Sequence, residues 1–382
     1  MKANWNYPTN ILVGAGRTIE LASLCKEQCI TKPLIVTDPF LASLGMISDV
    51  TDNLSEAGMQ VGVFSAIKPN PTGTNIRDGI KFLSEGNHDA VIAIGGGSAL
   101  DAGKTIALMA HQSCDLFDIE DIGNNWENVD VSLTLPIIAL PTTAGTGSEV
   151  GRAAVIVNEQ ESRKVILFHP QLLPKTVVLD PLLTIGLPAT LTAATGMDAL
   201  SHNLEALCAP TYHPMAEGIA MQGIHLIRNS LQQAVEDGGD IEARTQMLVA
   251  STMGATAFQK GLGAMHALAH PLGAIYDAHH GMLNAILMPY ILKANQRKID
   301  KTVSQLATYL GIKGGFNGFL DWILELRTTI QIPHQLTAII PDNNQFERVA
   351  KMAVDDPSAA TNPITFTVQE YLELLHTAYN GH

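Results

Sequence analysis

The chain has 382 residues, more than one ordinary hydrophobic core supports, so two domains are expected. Apolar residues make up 46% of the chain and charged residues 16%, a composition that excludes extensive disorder. The net charge is −14 and no run of Lys or Arg occurs, which argues against a nucleic-acid partner.

The N-terminal segment MKANWNYPTN contains no apolar core of a signal peptide. No window of the sequence approaches the ~20 apolar residues of a membrane-spanning helix. The four cysteines (Cys25, Cys29, Cys114 and Cys208) are scattered and form no pair of zinc-binding motifs, so we expect reduced thiols. Together these features predict a cytoplasmic protein.

The first half of the chain alternates short apolar runs with helical segments, a pattern typical of a parallel sheet covered by helices. We predict a Rossmann-like α/β domain over residues 1–185. Its predicted strands are ILVG (11–14), PLIVT (33–37), QVGVFS (60–65), AVIAI (90–94), LPIIAL (135–140), RAAVIVN, RKVILF and TVVLD.

Two glycine-rich stretches compete as the phosphate-binding turn of a dinucleotide site. In VGAGRTIEL (13–21), Gly14 and Gly16 follow a strand, but Ile19 occupies the place of the third glycine, so the fingerprint is incomplete. In AVIAIGGGSALDAGKTIAL (90–108), a buried strand turns through three glycines into a helix. Glycine lets the backbone approach a pyrophosphate, and a helix N-terminus presents free N–H groups to it. We therefore assign phosphate binding to Gly96, Gly97 and Ser98; a tight turn with a serine cap is the alternative.

Two further segments fit a nucleotide site. The stretch PTTAGTGSEV (141–150) adds hydroxyls and glycines after another strand and suits a second wall around the cofactor. Asp38 ends the strand VTD, where its carboxylate can accept hydrogen bonds from an adenosine ribose. Because a carboxylate there repels a 2′-phosphate, the sequence favours NAD over NADP.

From about Pro188 onward the sequence predicts an all-helical domain, over residues 186–382, with the boundary near residues 184–188. Its predicted helices span 189–208, 213–235, 240–259, 281–296, 300–310 and 314–328. Clefts between domains are preferred ligand sites, so we expect the site between the two halves.

Within the helical half, two segments are rich in metal-ligand side chains. In TGMDALSHNLEA (195–206), Asp198 and His202 are four residues apart and share a helix face. In HALAHPLGAIYDAHHG (266–281), His266 and His270 have the same spacing, but Pro271 predicts a helix end or kink at His270. One carboxylate and several imidazoles form a suitable set for Fe²⁺ or Zn²⁺, but spacing alone does not decide which histidines bind.

These motifs resemble those of the iron-containing (group III) alcohol dehydrogenases, the family that includes lactaldehyde reductase and 1,3-propanediol dehydrogenase. The resemblance runs nearly end to end, through VTD (36–38), KPNPT (68–72), GGGS (95–98), PTTAGTGSE (141–149), GMDALSHNLEA and HALAHPLGAIYDAHHG. The last two motifs are the most specific. The family's architecture, an α/β domain followed by a helical domain, is the one predicted above.

The resemblance also implies roles for individual residues. It implies that the metal is bound by Asp198, His202, His266 and His280. It implies that His270 relays a proton on the substrate side and gives His279 no role. Supporting contacts to the cofactor are implied for Asn70, Thr142, Thr143, Thr146 and Lys164.

The sequence thus predicts a homo-oligomeric, metal-dependent, NAD-linked alcohol dehydrogenase that interconverts a primary alcohol and an aldehyde. The metal is expected to be Fe²⁺, with Zn²⁺ possible for the same ligands. A lyase of the dehydroquinate-synthase type shares the two-domain plan but needs a cluster of basic residues, and the helical half shows no such cluster near the ligands. A metal-independent reductase of the maleylacetate type would not require the four ligands. A non-catalytic NAD-binding protein is the remaining alternative.

Overall fold

The structure, a computed structural model, describes residues 7, 9–161 and 163–381. These residues form two compact units. The α/β unit combines Tyr7–Thr143 with Gly147–Gly186, and the helical unit combines Ala144–Thr146 with the chain from Leu187 onward. The predicted fold class, a parallel-sheet region followed by a helical region, is confirmed.

The α/β unit is built on a six-stranded parallel sheet, because its apolar runs are buried on both faces by helices. The strands are β1 (Asn10–Val13), β2 (Pro33–Val36), β3 (Gly62–Phe64), β4 (Ala90–Gly95), β5 (Ile137–Pro141), β6 (Ala153–Asn158), β7 (Arg163–Phe168) and β8 (Thr176–Leu179). The sheet order is β1-β8-β5-β4-β2-β3. The helices of this unit are α1 (Leu21–Glu27), α2 (Pro39–Ala42), α3 (Gly45–Glu56), α4 (Gly73–Gly86) and α5 (Gly97–Met109).

Strands β6 and β7 do not join the parallel sheet but pair with each other as an antiparallel ribbon. Their connection at residues 159–162 is too short for a parallel crossover, so an antiparallel pairing is required. Along β6 the side chains of Ala154, Ile156 and Asn158 are buried while the intervening ones are more exposed. This alternation is typical of a strand covered on one face.

The helical unit contains eight α-helices among the described residues. They are α6 (Ala189–Cys208), α7 (Pro214–Glu236), α8 (Ile241–Ala257), α9 (Ala264–Tyr276), α10 (His280–Tyr309), α11 (Gly315–Thr329), α12 (Phe346–Asp355) and α13 (Val368–Asn380). In the described part of the chain, none of the helices is long and apolar enough to cross a membrane.

Helix α10 corrects the sequence prediction of two helices over 281–296 and 300–310. A single helix runs through both segments. Residues 297–299 contain no glycine or proline, and Ile299 is buried in the core, so the helix continues. Helices α12 and α13 were not predicted.

Helix α9 does not end at His270, which was one of the two outcomes that Pro271 predicted. The helix continues through Pro271 to Tyr276 and ends at Asp277, whose φ of 52° is left-handed. Proline removes one backbone donor and crowds the preceding turn. Leu268 and Leu272, on either side of the proline, are fully buried, and this packing offsets the lost hydrogen bond.

Candidate active site

Four side chains converge in the helical unit: Asp198, His202, His266 and His280. The first two lie one turn apart on α6, His266 lies in the first turn of α9, and His280 is the first residue of α10. Each offers one ligand atom, and these atoms all lie within 4.8 Å of one another. The three helices therefore bring together the carboxylate and the three imidazoles that the resemblance implied as ligands.

The close approach of α10 to α6 depends on a glycine. A Cβ atom placed on Gly281 would lie 2.4 Å from the backbone oxygen of Ala194 and 3.2 Å from Cβ of Asp198. Any side chain at this position would push the two helices apart. The glycine after His280 thus allows that histidine to reach Asp198, and His280 Nε2 lies 3.6 Å from Asp198 Oδ1.

Hydrogen bonds at Nδ1 fix the orientation of two of these imidazoles. His202 Nδ1 donates to the backbone oxygen of Gly145 at 3.2 Å, and His266 Nδ1 lies 2.7 Å from Glu205 Oε2. Since a carbonyl oxygen can only accept, His202 carries its proton on Nδ1 and leaves a lone pair on Nε2. A carboxylate acceptor imposes the same tautomer on His266. Both rings thus present an unprotonated Nε2.

Glu205 links this site to the start of α9. Its carboxylate, 5% exposed, also accepts from the backbone N–H groups of Gly263 at 2.8 Å and Met265 at 2.7 Å. Helix α9 has no side-chain cap from its own N-cap residue, so Glu205 satisfies donors that would otherwise be unpaired. Burial raises the pKa of Glu205 to about 7, although the two backbone donors oppose this shift.

Burial also sets the charge of the cluster. It lowers the pKa of His266 and of His280 well below the usual value, so both imidazoles are neutral at pH 7. Burial alone would raise the pKa of Asp198, but the neighbouring imidazoles and the amide of Asn284 lower it below its usual value. One carboxylate and three imidazoles that face one another, three of the four side chains being buried, are a donor set that fits Fe²⁺ or Zn²⁺.

His270 lies beside this cluster but outside it. Its ring stacks on that of His280, with centroids 5.4 Å apart, and its Nδ1 lies 2.8 Å from Asp356 Oδ2. The side chain is 30% exposed. His279 is exposed, and its Nδ1 accepts from the backbone N–H of Met282 at the start of α10. The structure therefore places His280, and not its neighbour, in the cluster.

The glycine-rich turn of the α/β unit joins β4 directly to α5. Gly95 has a φ of 152°, and a Cβ there would lie 2.6 Å from that of Ala99, so only glycine fits. The N-terminus of α5, with Gly96 as its N-cap, has no side-chain cap. The serine cap that the sequence left open is absent, because the hydroxyl of Ser98 donates to the backbone oxygen of Pro69. The first N–H groups of α5 therefore receive no hydrogen bond from a capping side chain.

Thr142 and Thr143 of the hydroxyl-rich segment 141–150 lie beside this turn. Thr142 is buried, and its N–H donates to the oxygen of Gly95 at 3.0 Å. A Cβ on Gly96 would lie 3.5 Å from the side chain of Thr143. Thr146 belongs to the helical unit. The segment thus supplies residues to both units.

Three other residues predicted at the cofactor site also lie in the α/β unit. Asp38 caps α2, with its Oδ1 accepting from the N–H of Leu41 at 2.9 Å, while its Oδ2 faces Gly95. Asn70 lies in the turn before α4, and Lys164 is half-buried on β7.

The glycine-rich stretch 13–21, which lacks the third glycine of the dinucleotide fingerprint, binds a carboxylate of the protein itself. The N–H groups of Gly16 and Thr18 donate to the carboxylate of Asp180, at 3.0 and 2.9 Å. Gly16 adopts a left-handed φ of 78° in this turn. The donors that a phosphate would need are already bonded to a carboxylate of the same unit.

The sequence analysis did not identify Glu205, Asn284 or Asp356. Glu205 lies three residues after His202, and Asn284 lies four after His280, so helical spacing could have found both. It also missed Lys104, whose buried Nζ donates to the backbone oxygens of Ser148 and Ala153 at 3.0 and 2.6 Å. This contact ties α5 to the segment after the second glycine-rich loop.

Comparison with known proteins identifies the family. A model of the iron-containing alcohol dehydrogenases matches residues 8–181, and a model of the C-terminal part of the Fe-containing alcohol dehydrogenase family matches residues 192–379. Alcohol dehydrogenase 4 of Saccharomyces cerevisiae (strain YJM789) is 37% identical over 96% of each chain. The crystal structure of a 1,3-propanediol oxidoreductase superposes with a TM-score of 0.94 at 34% identity, covering 99% of this chain and 100% of that one.

Another similar structure is sulfoacetaldehyde reductase from Bifidobacterium kashiwanohense in complex with NAD⁺, with a TM-score of 0.91 at 27% identity and 100% coverage of both chains. These relatives are named as dehydrogenases, oxidoreductases or reductases, which supports the dehydrogenase interpretation and not the lyase. The chain belongs to the iron-containing alcohol dehydrogenase family.

Proposed function

We propose that this protein interconverts primary alcohols and aldehydes with NAD as hydride carrier and a divalent metal ion, Fe²⁺ or alternatively Zn²⁺. The ion would be held by Asp198, His202, His266 and His280. The observation that carries this proposal is the convergence of these four ligand atoms within 4.8 Å in a member of this family.

When bound, the ion supplies Lewis-acid polarisation of the substrate oxygen, and NAD supplies the hydride acceptor. The protein's own contribution is the orientation of the ligands. Gly145 and Glu205 hold the imidazoles of His202 and His266 with Nε2 unprotonated, so neither ring has to change its tautomer before an ion binds. Burial of three of the four ligands keeps water away and strengthens the electrostatic interactions at the site.

The pyrophosphate of NAD would bind at the N-terminus of α5, through the N–H groups of Gly96, Gly97 and Ser98. The absence of a side-chain cap there supports this assignment, since free N–H groups and the helix dipole attract an anion. Asn70, Thr142, Thr143, Thr146 and Lys164 would surround the rest of the cofactor. Accordingly, we propose residues 1–185 as the NAD-binding domain and 186–382 as the metal-binding domain.

His270 would accept the proton that the alcohol loses. Asp356 accepts a hydrogen bond from Nδ1, which leaves Nε2 as the basic atom. Ser358 N–H donates to the other carboxylate oxygen of Asp356 at 2.8 Å and holds it in place. Because His270 is 30% exposed, it can pass the proton on to water.

A cytoplasmic location and self-association also belong to the proposal. The four cysteines are free thiols, which suits a reducing compartment. In the described residues, the edge strand β1 has a hydrogen-bonded neighbour only on the side of β8, and Val13 on it is 40% exposed. An open, partly apolar edge favours contact with a second copy.

Replacing Asp38 by glycine tests the cofactor assignment. Loss of the carboxylate removes the repulsion of a 2′-phosphate, so the preference for NAD over NADP should fall about tenfold or more. The measurement is the ratio of kcat/KM for the two cofactors. Since Asp38 also caps α2, Asp38→Asn is the matched control that keeps a cap acceptor. An unchanged ratio in both variants would show that Asp38 does not face the ribose.

The function itself is tested by anaerobic assay of the Fe²⁺-loaded enzyme with NAD⁺ and a panel of primary alcohols. We expect NADH to form and, in the reverse direction, aldehydes to be reduced. Turnover of an acidic phosphorylated substrate without net NADH production would instead support the lyase. Full activity after removal of all metal would support the metal-independent reductase.

A further inference from the structure

Asn284 lies fully buried on α10, one turn after His280. Its Nδ2 atom lies 2.9 Å from Asp198 Oδ1, 3.1 Å from His280 Nε2 and 3.2 Å from His266 Nε2. A single amide group thus contacts the ligand atoms of three of the four proposed metal ligands at once.

The orientation of this amide follows from its neighbours. Asp198 Oδ1 and the unprotonated Nε2 of His266 are acceptors, so the group that faces them must be a donor. The –NH₂ end of the amide supplies two N–H groups, one for Asp198 and one for the imidazoles. In this orientation Oδ1 of Asn284 is buried without a hydrogen-bond partner among the described residues. A buried carbonyl oxygen left unpaired has a free-energy cost, so the contacts at Nδ2 must outweigh it.

Two of the three contacts are incompatible with metal coordination. An unprotonated imidazole Nε2 has one lone pair, which either accepts the amide N–H or binds a cation. This applies to His266, whose proton lies on Nδ1, and to His280 when its Nε2 is the ligand atom. The carboxylate of Asp198 has several lone pairs and can do both. Since one N–H of Asn284 is bonded to Asp198, the other is shared between the two imidazoles, and binding of an ion requires the amide to give up this hydrogen bond.

We propose that the amide of Asn284 takes the place of the metal ion in the metal-free protein. It holds the ligand side chains together there and competes with the ion for their lone pairs. The inference rests on the proposed function, because it takes the four side chains as metal ligands. It adds a residue that tunes metal affinity without itself being a ligand.

The proposal has a thermodynamic consequence with a definite sign. If Asn284 stabilises the metal-free site more than the metal-bound site, its removal destabilises the metal-free protein more. The free energy of the metal-free protein then rises relative to that of the metal-bound protein, and the ion binds more tightly. A residue that merely supported the ligands in the bound state would have the opposite effect, a loss of affinity.

The test compares Asn284→Ala with the wild type, each stripped of metal and titrated with Zn²⁺ against a competing chelator. We expect the variant to bind Zn²⁺ about tenfold more tightly, since the amide hydrogen bond to the imidazoles no longer competes. The melting temperature of the metal-free variant should fall, and the rise on adding Zn²⁺ should exceed that of the wild type.

Asn295→Ala is the matched control. Asn295 is also a buried asparagine on α10, but it exchanges hydrogen bonds with Asn362 and contacts no proposed ligand. Its replacement should lower the melting temperature equally with and without Zn²⁺ and leave the affinity unchanged.

Unchanged or weaker Zn²⁺ binding by Asn284→Ala would overturn the proposal. So would a variant that does not fold even with Zn²⁺ present, because the metal-bound form should be little affected. A variant that folds only with Zn²⁺ would support it. If the wild type itself binds no Zn²⁺, the proposed metal site fails, and the inference fails with it.

Discussion

His266→Ala should lose its bound divalent ion, and kcat/KM should fall by about a thousandfold or more. The ion supplies several kcal/mol of charge stabilisation in the transition state, and each 1.36 kcal/mol corresponds to about a factor of ten in rate. His266 is 1% exposed and contributes one of the four ligand atoms, so no solvent-exposed group replaces it. Metal content per chain and steady-state kinetics are the measurements.

His270→Ala is the matched control, since it removes an imidazole one turn further along α9. We expect it to keep its metal and to lose turnover by about 10²–10⁴-fold, the usual contribution of general acid–base catalysis. Normal metal content and turnover in His266→Ala would refute the ligand set. Loss of metal in His270→Ala would show that His266 and His270, four residues apart on α9, bind the ion together.

Glu205→Ala should have the largest effect on stability among the residues around the site. Three donors would lose their acceptor at once: the N–H groups of Gly263 and Met265 and Nδ1 of His266. Each buried donor left unpaired costs about 1–3 kcal/mol, so unfolding should become easier by about 3 kcal/mol or more. Metal affinity should also fall about 10–100-fold, because His266 loses its orienting partner.

Denaturant unfolding of the metal-free protein and chelator competition measure these two effects. Glu205→Gln, which keeps one acceptor oxygen in the same volume, should fall between the wild type and the alanine variant. If Glu205→Ala unfolded at the same denaturant concentration as the wild type, the role of Glu205 at the start of α9 would be wrong.

The sequence predicts much of this site because much of it is local. Asp198 and His202 are one turn apart on a single helix, and their spacing alone places them on one face. Adding His266 and His280 to that pair required the resemblance to a family, since spacing favoured His266 with His270 just as well. Glu205 and Asn284 carry the same helical spacing, but a buried carboxylate or amide has many structural uses.

Other contacts had no local signal. Asp356 lies 86 residues from His270, and Gly145 lies 57 residues from His202. Such pairs are brought together only by the packing of the helices, so a single sequence does not reveal them. In the fold, too, some features have a local sequence signal and others do not. The fully buried run of β4 is readable from apolar residues alone, whereas the pairing of β6 with β7 depends on the length of their connection.

The most direct test of the account follows hydride itself. The Fe²⁺-loaded enzyme is incubated anaerobically with NAD⁺ and a primary alcohol deuterated at the carbinol carbon, and the reduced cofactor is isolated. The account predicts one deuterium at C4 of the nicotinamide, no transfer after chelation of the metal, and recovery when Fe²⁺ is returned. Deuterium transfer at an undiminished rate in the metal-stripped enzyme, or none in the Fe²⁺-loaded enzyme with any alcohol of the panel, would contradict it.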